Sequence, residues 1–297
     1  MKVLILGGSG MLGHKLWQVL SNRFETYVTL RQRFGYYGKY GLFDPARTII
    51  EVSADDFDSV VRAVDRVGPD TVVNCIGIVK QSQLAQDPLT SIFINALFPH
   101  RLAKVCRERG IRLIHISTDC VFSGRKGNYK ESDVSDAEDL YGRTKLLGEV
   151  DYEGCLTLRT SMVGREIETS NGLVEWFLSQ KGKTVNGYKR AIFSGFTTYA
   201  LSEIISKVII EQPDLRGVWH VAAQPISKFD FLMLVNEVYR LKIQIKPEET
   251  VVTDRSLDAT HFREATGFIP PDWRDMIEQM HRDPTPYSQI RRQHVNG

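Results

Sequence analysis

Short apolar runs rich in β-branched residues recur through the first half of the chain, at residues 3–6, 26–30, 48–52, 71–75, 113–117 and 155–160. Between them, apolar positions repeat with a helical period over 11–20, 55–67, 87–109 and 139–149. The first pattern suits strands buried on both faces, the second helices with one buried face. Their alternation predicts an α/β fold with a doubly wound parallel sheet. Gly68 and Gly110 follow their helices directly, where a left-handed stop is expected. Past residue 165 the pattern loosens to helical segments at 171–180, 199–211, 227–241 and 272–282 and one strand at 217–222. Gly267 and Pro270-Pro271 punctuate the last part. The expectation is a nucleotide-binding domain over 1–164, with a returning segment near 190–222. A smaller, mostly helical substrate-binding domain over 165–297 interleaves with it. The tail from His281 is polar and basic and reads as solvated.

The balance of charge, 38 Lys+Arg against 36 Asp+Glu, argues against nucleic acid or a membrane surface as partner. The aromatic and basic stretch 31–40 is therefore read as a mobile loop over the adenosine half of a nucleotide. No run reaches the ~20 apolar residues of a membrane span, and the apolar start is too short for a signal peptide. Cys75, Cys106, Cys120 and Cys155 form no C-x-x-C pair, which suggests packing thiols in a reducing, cytoplasmic compartment. The histidines lack metal-ligand spacing, so no metal is expected, and His115 and His220 within apolar strands read as core residues.

Gly7-Gly8-Ser9-Gly10-Met11-Leu12-Gly13 follows the first strand and opens the first helix, the context of a Rossmann-type dinucleotide loop. Gly7 permits the tight turn, Gly10 admits a pyrophosphate and Gly13 lets helix and strand approach. The phosphates would rest on the helix N-terminus. The second strand ends Thr29-Leu30-Arg31-Gln32-Arg33, without the carboxylate that grips a ribose 2′-hydroxyl. Arg31 or Arg33 would instead pair with a 2′-phosphate, favouring NADP over NAD.

Tyr141 and Lys145, four apart on a helix, share one face, so the ammonium would favour the phenolate and let the tyrosine trade a proton. Ser117-Thr118-Asp119-Cys120-Val121-Phe122 places a hydroxyl at the end of the preceding strand. With the glycine loop, these segments stand in the order a nicotinamide oxidoreductase needs.

The glycine spacing, the Y-x-x-x-K helix and the S-T-D run resemble the extended short-chain dehydrogenase/reductase family, and within it the dTDP-4-dehydrorhamnose reductase group. Residues 73–77, Asp87-Pro88, 94–96, 158–161, 217–221 and 266–273 resemble further family segments. The resemblance implies Thr118, Tyr141 and Lys145 as the catalytic set. It implies cofactor contacts from Cys75, Ile76, Gly77, Asn95 and Lys145 besides the glycine loop. It implies substrate contacts near Lys80, Cys120, Phe122 and Met162. Cys120 stands where dehydratases of the superfamily carry a glutamate, which argues against dehydration. Cys120 and Met162 replace aromatic residues of the rhamnose reductases, so the sugar is not fixed by the resemblance. The expected function is NAD(P)H-dependent reduction of a 4-keto-6-deoxy nucleotide sugar for polysaccharide biosynthesis, with a homodimer as a family-level expectation. The alternatives are a 4-epimerase with tightly held NAD, and a non-catalytic NADP-binding subunit such as the β-subunit of methionine adenosyltransferase.

Overall fold

The computed structural model describes residues 1–38 and 41–290. Six of the apolar runs form strands β1 (Lys2–Leu6), β2 (Glu25–Thr29), β3 (Thr48–Ile49), β4 (Thr71–Asn74), β5 (Arg112–Thr118) and β6 (Cys155–Thr160). With Gly217–His220 they make one parallel seven-stranded sheet, ordered Gly217–His220, β6, β5, β4, β1, β2, β3. β4 and β6 are buried along their whole length, which is why they read as unbroken apolar runs. The order reverses between β1 and β4, so the crevice at their carboxyl ends is where a ligand binds in such sheets.

The helices among the described residues are α1 (Gly13–Leu20), α2 (Phe34–Gly38), α3 (Phe57–Val67), α4 (Pro88–Ser91), α5 (Phe98–Glu108), α6 (Leu140–Leu147), α7 (Leu173–Leu178), α8 (Thr198–Glu211), α9 (Lys228–Val238), α10 (Thr260–Thr266) and α11 (Trp273–His281). The predicted helix 87–109 is not uniform. A π-helical stretch, Ile92–Leu97, separates α4 from α5. Asn95 in this stretch is turned inward to bond the main chain of Ile78. The predicted strand 48–52 stops at Ile49, because Glu51 turns the chain with a positive φ of 59°. The predicted helix 227–241 stops at Val238, where Arg240 and Lys242 turn left-handed. Asn236 closes that turn by bonding both main-chain groups of Ile243.

The second half holds more strand than its sequence suggests. Thr184–Tyr188 pairs with Gln244–Glu248, Ala191–Phe193 with Ile226–Ser227 and Thr253–Asp254, and Met162–Val163 with Phe196–Thr197. These strands are short and several are half-exposed, so they leave little period-2 signal. One apolar cluster runs from Ile5, Leu16 and Trp17 beside the sheet to Phe193, Phe231 and Trp273 beyond it.

Two expectations are corrected. Over residues 31–38 the stretch read as a mobile loop contains α2, with Tyr37 buried in the core edge-on to Phe43, which in turn meets Trp17; residues 39 and 40 lie outside the described residues. The tail is not solvated as far as residue 290. Tyr287 and Ile290 are each only 2% exposed, and Asp283 pairs with Lys15 of α1 at 2.5 Å. Two apolar anchors among many charges were enough to dock it, a sparse signal in a polar segment. Residues 291–297 of that tail lie outside the described residues.

Candidate active site

The glycine loop joins β1 to α1. Gly7 adopts a positive φ of 85°, and a Cβ on Gly13 would stand 2.1 Å from the Gly7 carbonyl oxygen. Only glycine at 13 lets the helix begin this close to the strand. At Gly10 a Cβ would meet just the Gly7 oxygen, at 3.4 Å, so that side of the loop is open. α1 starts at Leu12 with no side-chain cap and no acidic residue in its first turn. The amides of Met11 to Gly13 precede its first main-chain bond, from His14 N–H to the Gly10 carbonyl at 3.2 Å, an arrangement that fits an anionic pyrophosphate at this end. On the far side of the crevice Asn74 Oδ1 accepts from Ile76 N–H at 3.0 Å, which shapes the 75–77 turn beside Gly7. Asn95, expected to touch the cofactor, is 1% exposed with both ends of its amide committed to Ile78. It shapes the 76–78 turn and does not itself reach into the crevice. Arg31 is exposed, and Arg33 is exposed and 3.0 Å from Glu51, a pair that solvent screens.

Along β5, side chains alternate between faces. Ser117 turns to Glu149 at 2.6 Å, while Thr118 faces the crevice. Glu149 in turn is gripped by Arg159 through two bonds of 2.8 and 2.7 Å, a buried bidentate pair behind the strand end. α6 lies directly on the turn after β5. A Cβ on Gly142 would come 2.2 Å from the Cys120 carbonyl oxygen, so glycine after Tyr141 is what allows the helix to seat there. This seating brings the Tyr141 hydroxyl beside Thr118. Thr118 donates to Asp119 Oδ1 at 3.2 Å and accepts from Cys120 N–H at 3.1 Å.

Lys145, one turn after Tyr141, is buried and donates to the Ile116 carbonyl at 2.8 Å. Burial lowers it to about 8, against the opposing pull of Glu149 and Cys75. Asn74 Nδ2 donates to His115 Nδ1 at 3.0 Å, because its oxygen is already held by Ile76. That fixes the imidazole proton on Nε2, 3.5 Å from the lysine nitrogen. The expectation that Lys145 draws the tyrosine down is not met in this arrangement. Burial first, then the Cys120 thiol, push the Tyr141 hydroxyl above its ordinary range, and the ammonium is turned to Ile116. His115 and His220 are fully buried, as read from the sequence.

The substrate-side residues divide. Cys120 is half-buried at the site, its thiol pushed up to about 12 by burial and by Asp119. Met162 is half-buried on the short strand that pairs with Phe196–Thr197. Phe122 is a correction: it is fully buried, stacked on Tyr129 at 4.2 Å, and cannot touch a substrate. Lys80 is bound to Asp139 at 2.5 Å, where Asp139 caps α6. Three residues that the sequence reading left out belong here. Asp119 is 5% exposed and raised by burial, against the Arg255 guanidinium. Arg255 donates to the carbonyls of Phe122 and Ser123, and Lys228 at the start of α9 is pushed down by burial and by Arg255. No spacing signal links residues 119, 228 and 255; only the fold brings them together. Among the described residues no group of three or more His, Cys, Asp or Glu could hold a metal. No helix among them is long and apolar enough to cross a membrane.

These features define an α/β protein with a dinucleotide-type loop and a Thr–Tyr–Lys constellation at the carboxyl ends of its strands. Residues 1–285 match the RmlD substrate binding domain, and the chain belongs to that family. It is 30% identical over 252 residues to the probable low-salt glycan biosynthesis reductase Agl14 of Haloferax volcanii, covering 80% of each chain. It is 35% identical over 147 residues to a dTDP-4-keto-6-deoxy-D-glucose reductase of Streptomyces niveus, a match spanning 49% of this chain and 45% of that one. A crystal structure of a hypothetical dTDP-4-dehydrorhamnose reductase from Sulfolobus tokodaii superposes with a TM-score of 0.75 at 26% identity, covering 92% of this chain and 98% of that one.

Proposed function

We propose that the protein reduces the keto group of a 4-keto-6-deoxy nucleotide sugar with NADPH, in preference to NADH, for deoxysugar and polysaccharide biosynthesis. The observation that carries this reading is the placing of the Thr118 and Tyr141 hydroxyls side by side at the end of β5, with Lys145 one turn further on. The named activities of the family relatives support it. The amides of Met11 to Gly13 would hold the pyrophosphate, Cys75, Ile76 and Gly77 would line the nicotinamide half, and Arg31 and Arg33 would take the 2′-phosphate. The bound cofactor supplies the hydride.

As negative charge grows on the keto oxygen, Tyr141 gives it a proton and Thr118 turns its hydroxyl from Asp119 to the same oxygen. A raised tyrosine still serves, because it stays protonated until the hydride arrives and the alkoxide then formed is basic enough to take the proton. Lys145 compensates the phenolate that remains. Arg255, Lys228 and Lys80 form the cationic wall for the diphosphate, and the segment from 165 onward supplies the sugar-binding side. The free, buried Cys106 and Cys155 suit a cytoplasmic enzyme. Exposed Leu89 on α4 and Leu147 on α6 support a homodimer.

The test follows oxidation of NADPH, and separately NADH, against dTDP- and UDP-linked 4-keto-6-deoxy sugars. Stoichiometric oxidation is expected, with Tyr141→Phe slower by at least ~10²-fold. Cofactor that binds but is never consumed would overturn the reductase reading in favour of an epimerase or a binding subunit.

A further inference from the structure

Away from the strand ends, a buried polar cluster joins the two ends of the chain. His14, the second residue of α1, is 1% exposed, with Nδ1 2.8 Å from the Gly10 carbonyl oxygen and Nε2 3.0 Å from the Tyr287 hydroxyl. The carbonyl can only accept, so a neutral imidazole carries its proton on Nδ1 and turns Nε2 as an acceptor to the tyrosine hydroxyl, whose single proton it shares with Asp283. Burial and the neighbouring Lys15, lowering His14 to about 4, keep it neutral. The same hydroxyl lies 2.8 Å from Asp283 Oδ2, which Lys15 holds at 2.5 Å. Gln18 donates to Thr285 at 2.9 Å, so three successive polar residues of α1's inner face meet the C-terminal segment.

The Tyr287 ring has a second contact. The Arg165 guanidinium covers it at 4.5 Å and donates to Glu175, whose Oε1 also accepts from Glu166 N–H at 3.1 Å. Glu166 in turn accepts from Gly172 N–H, and Gly172 lies against the tip of Met11. One tyrosine therefore braces the glycine loop through Gly10 and the turn that leans on Met11. Packing alone would need only the ring and the Lys15–Asp283 pair. The hydroxyl adds a chain of bonds that ends on a main-chain carbonyl of the glycine loop.

We propose that Tyr287 is a positioning residue for the cofactor: its hydroxyl, through His14, holds the Gly10 carbonyl so that the first-turn amides of α1 point into the crevice. This rests on the reading of that loop as the cofactor site, and not on which sugar is reduced. Tyr287→Phe keeps the ring and cuts the bond to His14. Titration of cofactor fluorescence without sugar should show the dissociation constant for NADPH rising about tenfold, the scale of one lost buried hydrogen bond. The loss should fall in the cofactor KM rather than in kcat, and hydrogen exchange at residues 8–14 of the free protein should quicken. Asp283→Asn serves as the contrast. It weakens the Lys15 pair and should lower Tm without a comparable loss of cofactor affinity. A Tyr287→Phe protein that binds NADPH within twofold of wild type overturns the proposal. So does a loss of affinity that simply tracks Tm in both variants. Wild-type protein that binds neither NADPH nor NADH overturns the loop reading itself, and is told apart by that result.

Discussion

α1 and α6 both begin at the carboxyl edge of the sheet, and they begin in opposite ways. α6 is closed by its own neighbour: Asp139 accepts from Gly142 N–H at 2.7 Å and is itself held by Lys80. α1 has no side-chain cap and no acidic residue in its first turn. Among the longer described helices, α3, α8, α9 and α11 also start on an Asp, Ser or Thr cap, and α5 continues directly from the π-helical stretch. α1 alone among them starts free and bare. The difference separates two uses of a helix end. In α6 the dipole is satisfied internally so that the side chains of Tyr141 and Lys145 can be held still. In α1, on the reading proposed above, the backbone is the binding surface, and its stiffness comes from the distant C-terminal segment.

The comparison can be strained first with pH. α1 buries His14, held near 4 against an ordinary 6.5. The unfolded chain binds that proton between pH 6.5 and 4 and the folded chain does not, so stability falls as pH drops through this window. His14 should remove roughly 2 kcal/mol by pH 5, with His115 and His220, also lowered, adding in the same direction. Lys145 on α6, lowered to about 8, moves stability in another window, rising with pH from about 8 to 10.5. Urea unfolding at pH 7 and pH 5 checks this; equal midpoints would mean the imidazoles are not buried as drawn.

A smaller effect is expected from Met11→Asp. A carboxylate just ahead of the first turn complements the dipole by about 0.3–1 kcal/mol, which offsets the lost contact between Met11 and Gly172. Thermal stability should change little while cofactor affinity falls about tenfold, since the new charge competes with the pyrophosphate. Unchanged affinity would deny the bare helix end its role. The mildest test is the mirror image. Asp139→Ala removes the α6 cap and should cost about 1 kcal/mol in denaturant unfolding, with cofactor affinity untouched. A cofactor dissociation constant that moved with it would show that the two helix ends are not independent.

The same contrast explains what could be read from sequence. The glycine loop was legible because backbone-led sites demand glycine at fixed spacings, and Gly7 and Gly13 meet that demand with a positive φ and a close approach. The sheet was legible because fully buried parallel strands leave continuous apolar runs. Tyr141, Lys145 and Thr118 were legible because they lie within one strand, one helix and the turn between. Phe122 was misplaced because an aromatic beside a catalytic run says nothing of which face it takes; strand-end geometry stacks it on Tyr129. Asp119, Lys228 and Arg255 were missed because their meeting depends on how α9 and the 253–257 segment fold back. Tyr287 was missed because one buried ring in a charged tail has no period.

The bond between His14 and Tyr287 spans 273 residues, and that between Lys15 and Asp283 spans 268. The glycine loop is therefore braced by a segment synthesised 268 to 273 residues after it. At typical synthesis rates the interval is on the order of tens of seconds. During that time β1 and α1 can pair with β2 and β4, but the brace behind Gly10 does not yet exist. On the proposed reading, full cofactor affinity waits for residues 283–290: a ribosome-bound fragment lacking them would carry the glycine loop without its support.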